Sequence, residues 1–225
     1  MFINTTGIVL REVAYKDSSK ILTVLTSSEG KLTVSAHGVH SRNSKLAAVT
    51  GLLVFSEMTL LKKKDRWTMT EARSIEQFLG LRNDLKLLSL GSYIAELTEA
   101  VADEDSPNPE LLPLCLNTLY ALSEKQKPPE FIKPAFELRL MAISGFEPVL
   151  DYKKSQSIES SEEGVLKLGE GGLKAAEYIL SCSPKKIFSF TLNDTALREF
   201  SAATEDFLLT HLDRSFKTLD YYHRI

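Results

Sequence analysis

Ile21-Leu22-Thr23-Val24-Leu25-Thr26, Ser27-Ser28-Glu29-Gly30 and Lys31-Leu32-Thr33-Val34-Ser35-Ala36 are the stretch on which the fold class turns. The first six residues are apolar and β-branched, the next four are turn formers, and the last six alternate polar with apolar. That alternation is the period of a half-buried strand. Two strands and a tight turn follow. Upstream, Gly7–Tyr15 is rich in Ile, Val and Leu and ends at the polar turn Lys16-Asp17-Ser18-Ser19. Downstream, a polar stretch from His37 to Lys45 leads to Leu52–Leu61, the charged turn Lys62-Lys63-Lys64-Asp65-Arg66, and Trp67–Phe78. About five strands in so short a segment must close their sheet to protect its edges. A five-stranded barrel of the oligonucleotide/oligosaccharide-binding (OB) kind fits the count.

From Leu81 the period becomes helical. Leu87, Leu90, Ile94, Leu97 and Val101 form one apolar stripe, ended by the acidic loop Asp103-Glu104-Asp105-Ser106-Pro107-Asn108-Pro109. Leu112, Cys115, Leu116 and Leu119 form a second stripe. Phe131 to Ile143 is apolar on nearly every face, which predicts a central buried helix stopping at Gly145. Residues 151–172 have little periodicity and read as a loop or small excursion. Helices are expected again over Leu173–Ser181 and Asp194–Leu212. The expected class is α+β with two domains: a barrel over 1–80 and an all-α domain over 81–225.

The 225 residues carry 43% hydrophobic and 25% charged side chains, ordinary for a globular protein. The longest aliphatic or aromatic run, Leu52-Leu53-Val54-Phe55, is far short of a membrane span of about 20 residues. Met1 to Gly7 has no cationic segment before an apolar one, so a secretory signal is not expected. Cys115 and Cys182 are far apart and form no C-x-x-C pair, which suits two reduced thiols in a cytoplasm. The net charge of −3 hides an asymmetry: residues 1–80 carry 11 Lys+Arg against 7 Asp+Glu, and residues 81–225 carry 16 against 23. A basic barrel on an acidic helical body points to an anionic partner for the barrel.

Lys62, Lys63, Lys64 and Arg66 share one expected hairpin tip, and Lys31, His37, His40, Arg42 and Lys45 lie along one strand and the loop after it. Lysine and arginine on loops can reach phosphates. Trp67 and Tyr15, beside basic turns, could offer flat faces to unpaired bases. The expected nucleic-acid contacts are therefore Arg42, Lys45, Lys62, Lys63, Lys64, Arg66 and Lys31, with Trp67 as platform. Solvated turn lysines and a core tryptophan are the plainer alternative, and with it a barrel that docks protein rather than nucleic acid. His37-x-x-His40 lacks further ligands nearby, so no metal is expected. No nucleophile elbow, phosphate loop or H-E-x-x-H occurs, and Gly169, Gly171 and Gly172 follow no βαβ unit. Enzymatic chemistry is not expected.

Several segments together carry a resemblance. Gly7-Ile8-Val9-Leu10, Tyr15-Lys16-Asp17-Ser18-Ser19-Lys20-Ile21-Leu22-Thr23-Val24-Leu25-Thr26, Glu29-Gly30-Lys31 and Ala36-His37-Gly38-Val39 resemble the amino-terminal pattern of the bacterial RecO family. Phe136-Glu137-Leu138-Arg139-Leu140-Met141, Gly145-Phe146-Glu147-Pro148-Val149-Leu150-Asp151 and His211-Leu212-Asp213-Arg214-Ser215-Phe216-Lys217-Thr218 are similar to its central helix, the segment after it and its carboxy-terminal signature. The resemblance implies an OB barrel, a helical body that can carry a zinc-finger-like insertion, and a non-enzymatic recombination mediator in the nucleoid-associated cytoplasm. It implies binding of single- and double-stranded DNA, annealing of complementary strands, and work with RecR to load RecA onto DNA coated by the single-stranded-DNA-binding protein (SSB). It also implies capture of the acidic SSB tail by the helical body, for which Lys133, Arg139 and Arg214 are the candidates; a structural role for Arg139 is preferred. No cofactor is implied.

The chain departs from the family pattern after Leu150-Asp151, where Tyr152-Lys153-Lys154-Ser155-Gln156 stands in place of a C-x-x-C, and the second cysteine pair is missing. Thiolates make such a zinc site. A metal-free remnant of the insertion is therefore expected over 151–170, as a short hairpin or ordered loop.

Overall fold

The computed structural model describes residues 1–39, 41, 44, 46–152 and 164–225. Five strands, β1 (Phe2–Tyr15), β2 (Ser19–Thr26), β3 (Gly30–Ala36), β4 (Phe55–Lys63) and β5 (Arg66–Glu76), close a barrel in the order β1-β2-β3-β5-β4. All neighbours are antiparallel except β3 and β5. This is the OB topology expected from the strand count.

The register shows how so few strands close. Stepping from Val13 through its successive partners Ile21, Ser35, Thr68 and Leu61 returns to β1 at Phe2, eleven residues short of the start. One of the eleven is Leu10, bulged out of the ladder between Val9 and Arg11. So large a stagger tilts every strand across the barrel axis. The bulge bends β1, which pairs with β4 through Phe2–Ile8 and with β2 through Gly7–Tyr15. Where the two pairings overlap, a Cβ on Gly7 would lie 2.9 Å from both the Leu25 carbonyl oxygen and Val24 Cγ1. Val9, Leu22, Val24, Leu32, Val34, Met58, Leu60, Trp67 and Met69 fill the interior.

After the short helix α1 (Leu79–Arg82), α2 (Leu85–Val101) packs on the barrel. Asp84 caps it, its carboxylate accepting from the Lys86 and Leu87 N–H groups at 3.0 and 3.2 Å. Arg11 Nε binds Glu99 at 2.9 Å, and the Lys31 ammonium donates to the Glu99 carbonyl at 3.1 Å. The acidic loop is tied down too: Lys31 N–H donates to the Asp103 carbonyl at 3.2 Å. Gly30, at φ +69°, lies so close beneath it that a Cβ would meet the Ser106 carbonyl oxygen at 2.4 Å. The remaining helices are α3 (Leu111–Ser123), α4 (Pro129–Ile143), α5 (Glu170–Ser181), α6 (Asp194–Leu212) and α7 (Lys217–Arg224). Amphipathic α7 docks Leu219 and Tyr222 and is capped by Glu96, which accepts from Thr218 Oγ1 at 2.5 Å.

Two compact units result, Met1–Cys115 with Thr218–Ile225, and Leu116–Lys217. The first thus extends past residue 80, because α2 packs on β1 and α7 is held by Glu96 of α2. In the second unit α4 is the central helix, buried from Phe131 to Leu138 and again at Leu140 and Met141. Phe190 brings α4 and α6 together, its ring 4.4 Å from Phe131 and 6.5 Å from Phe200. The unpatterned stretch is shaped here: β6 (Val149–Tyr152) pairs with β7 (Val165–Leu168) in parallel, where a short hairpin or an ordered loop was expected. A parallel pair needs a connection of about a dozen residues, and the connection's residues 153–163 lie outside the described residues. Among the described residues no group of three or more His, Cys, Asp or Glu is placed to hold a metal ion.

Candidate nucleic-acid interface

β4 and β5 are joined by the two-residue loop Lys64-Asp65, with Lys63 and Arg66 directly opposite each other. A loop this short keeps the strands' twist only with a left-handed residue, and Lys64 supplies it at φ +51°. Lys63, Lys64 and Arg66 are exposed, and none has an ion-pair partner among the described residues. Lys62 is different. It faces Trp67 across the ladder and lays its ammonium 4.9 Å from the centre of the indole. Trp67 is only 5% exposed and belongs to the barrel interior. The expectation of Trp67 as a stacking platform is therefore corrected: strand alternation turns it inward, and Lys62 closes the barrel mouth above it.

The β1–β2 hairpin forms a second basic tip. Lys16 also adopts a left-handed φ, +55°, with its ammonium 5.2 Å from the centre of the exposed Tyr15 ring. Lys20 is neutralised by Glu12. The end of β3 lies between the two tips, Ala36 pairing with Lys20 on one side and Met69 on the other. Thr33 and Ser35 face outward there, and His37 shares a 3.1 Å hydrogen bond with Ser19. In OB folds the β2–β3 face with the β1–β2 and β4–β5 loops is the usual ligand surface.

Lys31 does not join it. Its side chain and backbone are both spent on α2 and the acidic loop, so its expected DNA contact is corrected to a structural tie. Arg42, Lys45 and His40 lie outside the described residues. Farther from the β4–β5 tip, on the outer face of β1, β4 and β5, lies a polar groove of about 660 Å³, with Asn4, Thr59 and Glu71 on its walls and Arg73 held by Glu57 at 2.9 Å. Its carboxylates disfavour a polyanion. The sequence reading missed Phe2: alternation along β1 places it outward, 66% exposed, opposite Leu61.

In the helical unit the peptide-capturing expectation fails for two of three residues. Lys133 is 3% exposed and sits between Glu137 at 2.8 Å and Glu205 at 2.5 Å. Burial disfavours its charge, but the two carboxylates outweigh that and hold its pKa above the ordinary 10.5. Arg139 donates to the Leu180 and Ile179 carbonyls at 2.5 and 3.4 Å, placing its charge at the negative end of α5. Arg214 is exposed, with its guanidinium 4.8 Å over buried Phe216. Cys115 is fully buried, and burial pushes its thiol up to about 12 against a smaller lowering by its Thr98 hydrogen bond.

A family model described as the N-terminal part of recombination protein O matches residues 1–78, and one for its C-terminal part matches residues 82–220. The chain is 31% identical to the DNA repair protein RecO of Acetivibrio thermocellus, over 98% of this chain and 96% of that one. It is 29% identical to the RecO of Alkaliphilus metalliredigens over the whole of both chains. It is 35% identical to that of Caldicellulosiruptor saccharolyticus over 65% of this chain and 60% of that one.

Proposed function

This chain belongs to the RecO family and so has a role in DNA repair, and from that premise we propose that its barrel is a reversible, non-covalent clamp for DNA strands. The observation that carries the reading is the β4–β5 tip, where three exposed cations, with no ion-pair partner among the described residues, crowd a two-residue turn of an OB barrel. Lys63, Lys64 and Arg66 displace counterions from phosphate; Lys16 supplies a further cation from the neighbouring tip. Arg42 and Lys45 are proposed as additional contacts on the loop after β3. Neutralising about four phosphates of a single strand gives a log–log salt slope near −3. Cations and hydroxyls make this surface suited to binding, and no bond is made or broken in the proposed role.

Holding two strands on one cationic surface offsets their repulsion and raises their encounter rate. Annealing of complementary strands follows, and with RecR this opens SSB-coated DNA to RecA. Capture of the acidic SSB tail by the helical unit rests on exposed Arg214, since Lys133 and Arg139 are engaged inside the fold. The test is annealing of SSB-coated complementary oligonucleotides, with and without RecR, across a salt series. The proposal expects the chain to accelerate annealing, with the gain lost as salt rises. Equal annealing rates with and without the chain at low salt refute it.

A further inference from the structure

We infer that Phe2 is the base-stacking platform of the basic hairpin, so that this end of the barrel grips unpaired strands in preference to duplex. The inference rests on the proposed DNA-binding role of the same β4–β5 hairpin and names the form of DNA it selects.

Alternation along β1 sends Ile3 inward, against the barrel interior, and Phe2 and Asn4 outward. Phe2 lies directly across the ladder from Leu61, which is half-buried. Two residues beyond Leu61, on the same face of β4, stands Lys63, and opposite Lys63 stands Arg66. Residues two apart on a strand are about 7 Å apart, and cross-strand neighbours about 5 Å. The exposed ring and two cations, unpaired among the described residues, thus lie within the reach of one nucleotide, base on phenyl and phosphate on ammonium or guanidinium. An exposed phenylalanine alone means little; its place beside those cations gives it a ligand. The rival aromatic is closed off, since Trp67 faces the interior under Lys62. The footprint ends at the next outward pair, Asn4 and Thr59, hydrogen-bonded at 2.9 Å, because Glu71 and Glu57 follow. In a duplex the base faces are stacked on one another, so Phe2 contributes only to unpaired strands.

The experiment measures binding of the full chain to a labelled single strand and to its duplex across a salt series, for wild type, Phe2→Leu, Phe2→Ala and Phe2→Trp. Phe2→Leu keeps an apolar side chain across from Leu61 and removes the aromatic face. The expected result is about a tenfold loss of single-strand affinity for Phe2→Leu and Phe2→Ala. Duplex affinity and salt slope stay unchanged, and Phe2→Trp restores binding. A 2-aminopurine base in the strand is quenched on binding wild type and stays bright on Phe2→Leu. Wild-type single-strand affinity and quenching in Phe2→Leu overturn the inference, while the clamp itself stands if Lys63→Glu still weakens binding. A wild-type chain that binds neither DNA overturns both.

Discussion

Lys64 occupies a backbone conformation that costs a side-chain-bearing residue about 1 kcal/mol and glycine nothing. Lys64→Gly is therefore expected to raise unfolding free energy by about 1 kcal/mol in a denaturant titration. The same change removes one phosphate contact, so the single-strand salt slope should fall by about 0.7. Stability gained with an unchanged slope would separate the turn from the binding surface. Gly30 gives the opposite result. Gly30→Ala drives a methyl into the Ser106 backbone at a left-handed φ and should cost more than about 2 kcal/mol in the same titration. Lys133→Ala removes the ammonium that Glu137 and Glu205 face inside the helical unit and should cost about 3–5 kcal/mol at neutral pH. The raised pKa of Lys133 fixes the sign of its pH dependence. Its contribution is fully present below the ordinary 10.5 and is lost as pH rises above that through the folded-state value. Wild type should thus lose more stability than Lys133→Ala between pH 9 and strongly alkaline buffer. These residues also mark where sequence stops being legible. Trp67, Lys31, Lys133 and Arg139 each carry a chemistry that suits a ligand, but Trp67 is turned into the barrel, and Lys31, Lys133 and Arg139 are engaged by Glu99, Glu205 and Leu180, each some forty residues or more along the chain. Residue type and spacing do not contain those pairings.

Elements were more legible, because their signals are local. The period-two stretch over Lys31–Ala36 is β3, and the stripe from Leu87 to Val101 lies on α2. Asp194–Leu212 is α6 residue for residue. What local pattern could not show is which elements meet. The parallel pairing of β6 with β7 spans residues without periodicity. The docking of α7 hangs on Glu96, more than a hundred residues upstream of Thr218. Glu96→Gln weakens the acceptor for the first turn of α7. It is expected to cost about 1 kcal/mol and to raise hydrogen exchange in residues 218–224 while leaving the barrel strands protected. Equal exchange in α7 of both proteins would show that Leu219 and Tyr222 alone hold it.

At the scale of the whole molecule, the charge split visible in the sequence does not follow the compact units, because α2 and the acidic loop belong with the barrel; what the fold keeps is a local clustering of cations. Three of the barrel's cations converge on one hairpin, a fourth tips the next, and the acidic loop is fastened elsewhere by Lys31. Burying an indole under Lys62 and leaving Phe2 outside is a consequence of strand alternation around a closed barrel, not of composition. Cys115, buried with its thiol raised to about 12, is expected to resist alkylation at pH 8 until the chain unfolds, which mass spectrometry after iodoacetamide treatment would read directly.

The central claim is that the β4–β5 tip grips phosphate. The most direct measurement is single-strand affinity of the full chain against salt, for wild type and for Lys63→Glu, Lys64→Glu and Arg66→Glu combined, with melting curves to confirm the fold. The account predicts a wild-type log–log slope near −3 and, for the folded variant, at least a tenfold loss of affinity with a slope flattened by about 2. A folded variant that binds as tightly as wild type, with the same slope, contradicts it.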